Sequence, residues 1–304
     1  MLLPSAGGSL AANDGGGTVK QCYLIIDIAR CEDCNNCSLA CKDEHVGNEW
    51  KGYSAPQPLH GHRWINVARH ERGQFPLIDV AYRPTPCMQC EDAPCAGKSE
   101  GAIAKRSDGV VLIDPVKARG RRDLADSCPY GAIFWNEESQ LAQKCTLCAH
   151  LLDQGWEKPR CVQACPTGAL QFQRLDEAEM TAMVASRKLR CLYPEFGTRP
   201  HVYYANLDRF DRCFIAGSVA SRRNGRDECA GKARVVLLRA GVKHAETVTD
   251  PFGDFKFDGL EPKSAGYEIQ VYAGDQLQAT ELVPQLEKSM SLGTLWLAAV
   301  ETVL

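Results

Sequence analysis

The chain has 304 residues, 44% of them hydrophobic, and a formal net charge of -3. A chain of this length can form two domains with their own cores, and its nearly balanced charge gives no reason to expect nucleic acid or an acidic membrane surface as a partner. No apolar stretch approaches the roughly 20 residues needed to cross a bilayer, so we expect no membrane insertion by this chain.

Residues 1–18 are rich in Gly, Ser, Ala and Asn and lack the basic start and long apolar segment of a signal peptide. We therefore predict a flexible tail and a cytoplasmic protein. One alternative stays open, because a small subunit can be exported together with a partner that carries the signal.

The first predicted strand, residues 21–28, has the apolar and β-branched sequence QCYLIIDI, which is typical of a buried strand. It leads directly into a group of four cysteines, Cys31, Cys34, Cys37 and Cys41. Their C-x2-C-x2-C-x3-C spacing is the one in which three thiolates bind one cubane and the fourth binds a neighbouring cluster. A short helix over residues 38–44 is predicted to carry Cys41 away from the cluster loop.

Residues 42–86 form an insertion before the next cysteines, with many aromatic and charged side chains that include Trp50, His60, His62, Arg63 and Trp64. Aromatic residues and Arg are enriched in interface cores, so one interpretation is a docking surface for a partner. The other is a loop that packs over the cluster domain. The two histidines lack a third ligand nearby, and we assign no metal to them.

The later cysteines repeat one pattern. Cys87, Cys90 and Cys95 precede residues 101–114, which we predict to form a hairpin around an Asp-Gly turn. Cys128 stands alone before Pro129, and the last group is Cys145, Cys148, Cys161 and Cys165. After both Cys128 and Cys165 the chain continues with Pro, then Gly-Ala and an apolar run. This internal repeat predicts duplicated ferredoxin-like halves.

These cysteines number twelve and divide into three complete four-thiolate sites, which we interpret as three [4Fe-4S] clusters. In two-cluster ferredoxins the fourth cysteine of one motif completes the cluster of the other. Applied here, cluster A takes Cys31, Cys34, Cys37 and Cys165, cluster B takes Cys145, Cys148, Cys161 and Cys41, and cluster C takes Cys87, Cys90, Cys95 and Cys128. All the ligands of a possible fourth cluster are missing together. The region before Cys128 contains no cysteine, and Lys98 or Ser99 stands where the second motif would have its fourth cysteine.

Two other interpretations of the cysteines are zinc sites and disulfides. Zinc sites usually take two close pairs from separate knuckles, whereas the first motif places four thiols within eleven residues. Disulfides are disfavoured because no secretory signal accompanies so many close-set thiols. Four cysteines remain. We interpret Cys22 as a thiol buried in the core, and Cys191, Cys213 and Cys229 as structural or incidental.

Lys144 directly precedes Cys145. Nearby positive charge is one means of tuning a cluster, so Lys144 is a candidate for raising a cluster potential. The competing interpretation is an ordinary solvated lysine on the surface.

From about residue 231 the chain alternates apolar and polar residues at period two, with Gly, Asp and Pro between the runs. This pattern predicts a small antiparallel β-sandwich of Ig-like or carboxypeptidase-regulatory-like type. The predicted fold class is α+β, with a duplicated bacterial-ferredoxin-like domain containing insertions and then the sandwich. The predicted divisions are a tail over 1–18, the cluster domain over 19–228 and the sandwich over 229–304.

The order of the motifs over residues 19–210 resembles the iron-sulfur subunits of the molybdopterin, dimethyl-sulfoxide-reductase family. The segments RCEDCNNCSLACKDEH, RPTPCMQCEDAPC and SCPYGAIFWNEE are similar to small subunits of the transhydroxylase and resorcinol-hydroxylase branch. The resemblance implies a non-catalytic electron-transfer subunit. Its large partner would bind molybdenum or tungsten through two pterins and would transform polyhydroxylated aromatic rings in a heterodimer or higher assembly.

Two alternatives to this function remain. The first is an iron-sulfur subunit of another reductase in the family, acting on nitrate, polysulfide, dimethyl sulfoxide or arsenic compounds. The second is a free-standing ferredoxin, against which the insertion and the sandwich weigh because a diffusing carrier needs neither.

Overall fold

A computed structural model describes residues 19–223 and 225–298; the predicted tail over 1–18 lies outside the described residues. The part over residues 19–212 contains nine strands and six α-helices. Its strands are β1 Gln21–Asp27, β2 Asn66–Gln74, β3 Leu77–Thr85, β4 Ile103–Lys105, β5 Val111–Ile113, β6 Phe134–Asn136, β7 Leu141–Gln143, β8 Leu170–Leu175 and β9 Val202–Ala205. Its helices are α1 Asn36–His45, α2 Pro94–Gly97, α3 Ala149–Asp153, α4 Arg160–Gln163, α5 Glu177–Arg187 and α6 Asp208–Asp211.

Strand β1 is the centre of a three-stranded sheet, where it runs antiparallel to β8 and parallel to β9. Leu24 and Ile26 face the core that contains the first and last cysteine groups. Tyr23 and Ile25 face a second core with Met180 of α5. A strand covered on both faces needs an uninterrupted apolar run, which explains the sequence of β1 and confirms it as a buried strand.

The two short hairpins of the repeat are present. Strand β4 pairs with β5 and β6 pairs with β7, both antiparallel, so the predicted hairpin over 101–114 is confirmed. Gly109 in its turn has φ of 83°, and a Cβ there would lie 2.6 Å from the ring of His201. Only glycine therefore fits this turn.

The insertion before Cys87 forms the long β2–β3 hairpin, which the sequence pattern did not predict. At its base Trp64 and Ile65 are buried in the cluster core. Trp50 stacks on His150 with 4.1 Å between the ring centroids. These contacts agree with a segment that packs over the cluster domain, although Phe75 at the hairpin tip is 88% exposed.

The C-terminal part contains two sheets around a shared apolar core. Its strands are β10 Cys213–Arg223, β11 Arg226–Cys229, β12 Arg234–Arg239, β13 Val242–Val248, β14 Asp254–Leu260, β15 Ser264–Ala273, β16 Gln276–Leu286 and β17 Met290–Trp296. One sheet has the order β13-β12-β15-β16, and in the other β10 pairs with β11, β14 and β17. No helix among the described residues is long and apolar enough to cross a membrane.

Two details differ from the predicted sandwich. Strand β10 belongs to it, so the sandwich takes in 213–223, which the predicted division at 229 left in the cluster domain. The reason is that Ile215 and Val219 of β10 pack into the sandwich core. In addition, β10 and β17 are parallel, so the sandwich is not wholly antiparallel.

A buried arginine joins the β2–β3 hairpin to the sandwich. The side chain of Arg72 is 3% exposed. Its Nε and Nη2 donate to Asp79 Oδ2 at 2.9 and 2.6 Å, and its Nη1 and Nη2 donate to the two carboxylate oxygens of Asp258 at 2.6 and 2.8 Å. Burial tends to raise the pKa of Asp79, but hydrogen bonds from Arg209 and Arg72 outweigh it and hold that pKa at about 2.

We expect Arg72→Met to loosen this junction by about 2–4 kcal/mol, because it leaves two carboxylates with fewer partners in a partly buried site. Native-state hydrogen exchange should show that loss as faster opening of β2, β3 and β14. The control is Arg222→Met, which removes a solvent-exposed pair with Asp227. Equal exchange in the two variants would contradict a joining role for Arg72.

Candidate metal centres

Each Cys-x-x-Cys loop contains a tight reversal of the backbone. The residue before the second cysteine is in the left-handed region in three loops, at Asp33, Gln89 and Leu147, with φ of 56°, 48° and 52°. Such a reversal turns both flanking thiols toward one side and aims backbone amides at the sulfurs. In the last loop the Leu147 N–H donates to Cys145 Sγ at 3.4 Å.

The repeated Cys-Pro turns are also built alike. Gly131 and Gly168 have φ of 62° and 63°, and their N–H groups donate to the carbonyls of Cys128 and Cys165 at 3.0 and 3.3 Å. This backbone conformation favours glycine. The turns place Cys128 and Cys165 beside cysteines that lie far away in the sequence.

Cys31, Cys34, Cys37 and Cys165 line one cavity, together with Val67 and Leu170. Cys34 is exposed, whereas Cys37 is buried. The pKa of Cys37 is raised to about 11, chiefly by burial and to a smaller extent by the neighbouring thiolates of Cys31 and Cys165. The four thiols predicted for cluster A therefore face a common space.

Cys41, Cys145, Cys148 and Cys161 line a second cavity, with Leu24 and Trp64 among its walls. Burial raises the pKa of Cys145 to about 11 and that of Cys148 to about 12. His45 also lines this cavity, and burial lowers its pKa to about 3, so its imidazole is neutral at pH 7. The four thiols are those predicted for cluster B.

Cys87, Cys90, Cys95 and Cys128 form the third set. Burial raises the pKa of Cys90 to about 12, and the charges of Cys87, Cys128 and Cys95 also raise it. The Thr198 hydroxyl hydrogen-bonds to Cys90 and opposes this shift in pKa. Tyr130 Oη lies 2.6 Å from Thr198 Oγ1, so a tyrosine, a threonine and Cys90 form a chain of hydrogen bonds.

These sites have the donor chemistry of iron-sulfur cubanes. Four thiolates grouped around one cavity repel one another unless cations compensate their charge, and bound iron would supply that compensation. Thiolates around a cubane reach four different irons and so stand farther apart than the ligands of one zinc ion. Within the described part of the chain, no three Cys, His, Asp or Glu side chains are placed to bind a single metal ion.

The other cysteines lie outside these sets. All sixteen cysteines of the chain are free thiols, and Cys22 is buried in a small apolar core beside Val110, as predicted. Cys213 is buried in the sandwich and Cys229 is exposed. Cys191 is partly buried and lines a groove with Tyr23 and Tyr203.

Lys144 is buried at 3% exposure, so its interpretation as a solvated surface lysine is wrong. Sequence patterns did not reveal three further polar neighbours of the cysteines. Thr198 bonds to Cys90, Gln57 Nε2 donates to Cys41 Sγ at 3.3 Å, and Gln89 Nε2 donates to the Cys145 carbonyl at 3.0 Å. The position of Gln89 between two candidate ligands in the sequence could have identified it as a neighbour of the sites. Thr198 and Gln57 are far from the cysteines in the sequence and approach them only in the folded chain.

A ferredoxin-like domain with cysteine-lined cavities defines the class of iron-sulfur electron-transfer proteins. Residues 78–175 match a family model described as a 4Fe-4S dicluster domain. The small subunit of pyrogallol hydroxytransferase from Pelobacter acidigallici is 44% identical over 278 residues, which cover 90% of this chain and 98% of that one. The chain belongs to this family of iron-sulfur small subunits.

More distant relatives match a smaller part of the chain. A sulfite dehydrogenase subunit from Allochromatium vinosum is 33% identical, and the match covers 61% of this chain and 83% of that subunit. The iron-sulfur subunit of an arsenate respiratory reductase from Shewanella sp. is 28% identical, with 60% and 94% covered. A match to 90% of this chain, as in the pyrogallol hydroxytransferase subunit, must include much of the sandwich as well.

Proposed function

We propose that this chain holds three [4Fe-4S] clusters at the ligand sets A, B and C defined above and conducts electrons for a large subunit with a molybdenum or tungsten bis-pterin centre. The observation that carries this proposal is the grouping of twelve cysteines into three separate four-thiol sites. Each cluster would supply one-electron chemistry when bound. The chain's own residues bind the cluster, exclude water and set its potential.

The three sites follow one another in space. Sites A and B share helix α1, in which Cys37 and Cys41 are about one helical turn, or about 5.4 Å, apart along the axis. Sites B and C are joined by the hydrogen bond from Gln89 to the Cys145 carbonyl. Electrons therefore have a path in the order A, B, C or its reverse.

The proposed reaction of the complete enzyme is the transformation of a polyhydroxylated aromatic ring, either as a transhydroxylase or as a resorcinol-type hydroxylase. Similarity across both the cluster domain and the sandwich supports it. We also propose a cytoplasmic heterodimer or higher assembly, and an Ig-like or carboxypeptidase-regulatory-like sandwich that serves stability or docking. The second candidate is the iron-sulfur subunit of another reductase, which the similarity to subunits of a sulfite dehydrogenase and of an arsenate respiratory reductase supports.

Elemental analysis of the native complex, purified through a tag on this chain, tests the proposal. We expect about 12 Fe per chain, from three four-iron clusters, and molybdenum or tungsten on a co-purifying large subunit that turns over phenolic rings. Iron without a pterin metal or a partner would favour a lone carrier. Turnover of an oxyanion instead of a phenolic ring would favour the second candidate, and zinc in place of iron would refute the cluster assignment.

We expect Thr198→Val to lower the potential of cluster C selectively. A hydrogen bond to a ligand sulfur stabilises the added negative charge of the reduced cluster, and its loss is worth about 1 kcal/mol, or about a fivefold weaker reduction equilibrium. A redox titration followed by low-temperature electron paramagnetic resonance measures this shift. Thr181→Val is the control, since that hydroxyl bonds to the Glu177 carbonyl in α5; equal shifts in both variants would contradict the assignment.

A further inference from the structure

Lys144 carries a buried positive charge without a carboxylate partner among the residues the structure describes. Its Nζ donates to the backbone carbonyl of Val111 and, at 3.1 Å, to that of Cys145. Two neutral carbonyls solvate an ammonium only partly, and burial of a charge without a counter-charge is unfavourable. A negatively charged group other than a carboxylate must therefore compensate the charge of Lys144.

The hydrogen bonds around Lys144 place it between two cluster sites. Gln89, in the loop between Cys87 and Cys90, donates to the same Cys145 carbonyl and accepts the Val111 N–H at 2.8 Å. Gln89, Lys144 and Val111 are all buried. They form a closed polar ring that joins the loop of site C, the loop of site B and strand β5.

The ammonium of Lys144 lies near candidate ligands of both sites. Lys144 precedes Cys145 of site B, and its Nζ shares the Cys145 carbonyl with Gln89, which lies between Cys87 and Cys90 of site C. One ammonium therefore acts on both sites. A four-thiolate cluster is anionic and gains one more negative charge on reduction, so a nearby fixed cation stabilises its reduced form more than its oxidised form.

We propose that Lys144 is the shared counter-ion of clusters B and C, and that it raises the reduction potentials of both while leaving cluster A unchanged. The inference rests on the proposed function, since it requires clusters at sites B and C. Lys144 acts on the clusters through its charge and does not contact substrate. Its place between the two clusters raises both of their potentials relative to that of cluster A.

A purely structural role is the competing explanation, because Lys144 also holds β5 against the Cys145 loop. The test separates the two by charge. Lys144→Gln keeps a hydrogen-bond donor and removes the charge, whereas Lys144→Arg keeps the charge. Lys117→Gln is the matched control, since the Lys117 side chain is 61% exposed and reaches Asp114 at 4.0 Å.

The complex is first analysed for iron, and its clusters are then titrated one by one through their magnetic resonance signals. Lys144→Gln should weaken the reduction equilibria of clusters B and C by about tenfold each, which is about 59 mV for one electron. The potential of cluster A should stay the same in Lys144→Gln. All three potentials should stay the same in Lys144→Arg and in Lys117→Gln. Unchanged potentials for B and C in Lys144→Gln would overturn the inference, as would a shift that includes cluster A equally.

Loss of clusters in the Lys144 variants also tests the inference. If Lys144→Gln loses clusters B and C while Lys144→Arg retains them at the original potentials, the charge is required and the inference stands. If both variants lose them, the role of Lys144 is structural and the inference fails. Fewer than three clusters in the unchanged protein would refute the proposed function instead, so the two failures are distinguishable.

Discussion

Replacing Cys128 with alanine should remove the four-iron signal of cluster C and leave clusters A and B assembled. Iron should fall from about 12 to about 8 per chain, and one of three reduced-cluster signals should disappear. The reason is that Cys128 lies with Cys87, Cys90 and Cys95 and away from the other two cavities. Low-temperature magnetic resonance with spin quantification measures the loss.

The matched controls are Cys22→Ala and Cys229→Ala, which change a buried thiol and an exposed thiol outside the three sets. Both should retain all the iron. Loss of every signal in the Cys128 variant would indicate wrong pairing or general misfolding, and loss of a cluster in either control would refute the ligand assignment.

Combining Cys161→Ala with Cys165→Ala should remove two clusters, although the two cysteines belong to one sequence motif. Cys161 lines the cavity of site B and Cys165 lines that of site A. The double variant should therefore keep only cluster C and about 4 Fe per chain. Combining Cys41→Ala with Cys161→Ala should remove cluster B alone, because both thiols lie in that site, and leave about 8 Fe.

These two double variants discriminate between crossed and local pairing of the motifs. If each motif held its own cluster, Cys161 and Cys165 would serve the same site and their double variant would keep two clusters. The Cys41 and Cys161 double variant would then lose two. Such a reversed pattern would contradict the crossed arrangement, which iron analysis and spin counting can reveal on the same samples.

Cysteine spacing predicted more of this protein than any other feature. Ligand loops are local structures, so C-x2-C spacing, a following Pro and a Gly two residues later suffice to predict them. The strand before the first motif and the hairpin around Asp108 and Gly109 were equally local, because apolar runs and an Asp-Gly turn define them. The resemblance to the family followed from the order of these same segments.

The hairpin β2–β3 and strand β10 were missed for different physical reasons. The hairpin sequence contains charged residues such as Arg69, Arg72 and Asp79, which have partners elsewhere in the fold in Asp33, Asp258 and Arg209. Strand β10 takes its place in the sandwich by pairing with β14 and β17, which follow it by many residues. Pairing of β10 with such distant strands leaves no periodic signal in its own sequence.

The sequence by itself determined the class of cofactor and predicted the twelve candidate ligands, because these depend on residue types at short spacings. Only the tertiary structure decided that Lys144 is buried between sites B and C, that Thr198 reaches Cys90, and that the sandwich begins at Cys213. Burial and hydrogen bonding between distant segments depend on the packing of the whole chain, and packing is what sets the electrostatic surroundings of each cluster.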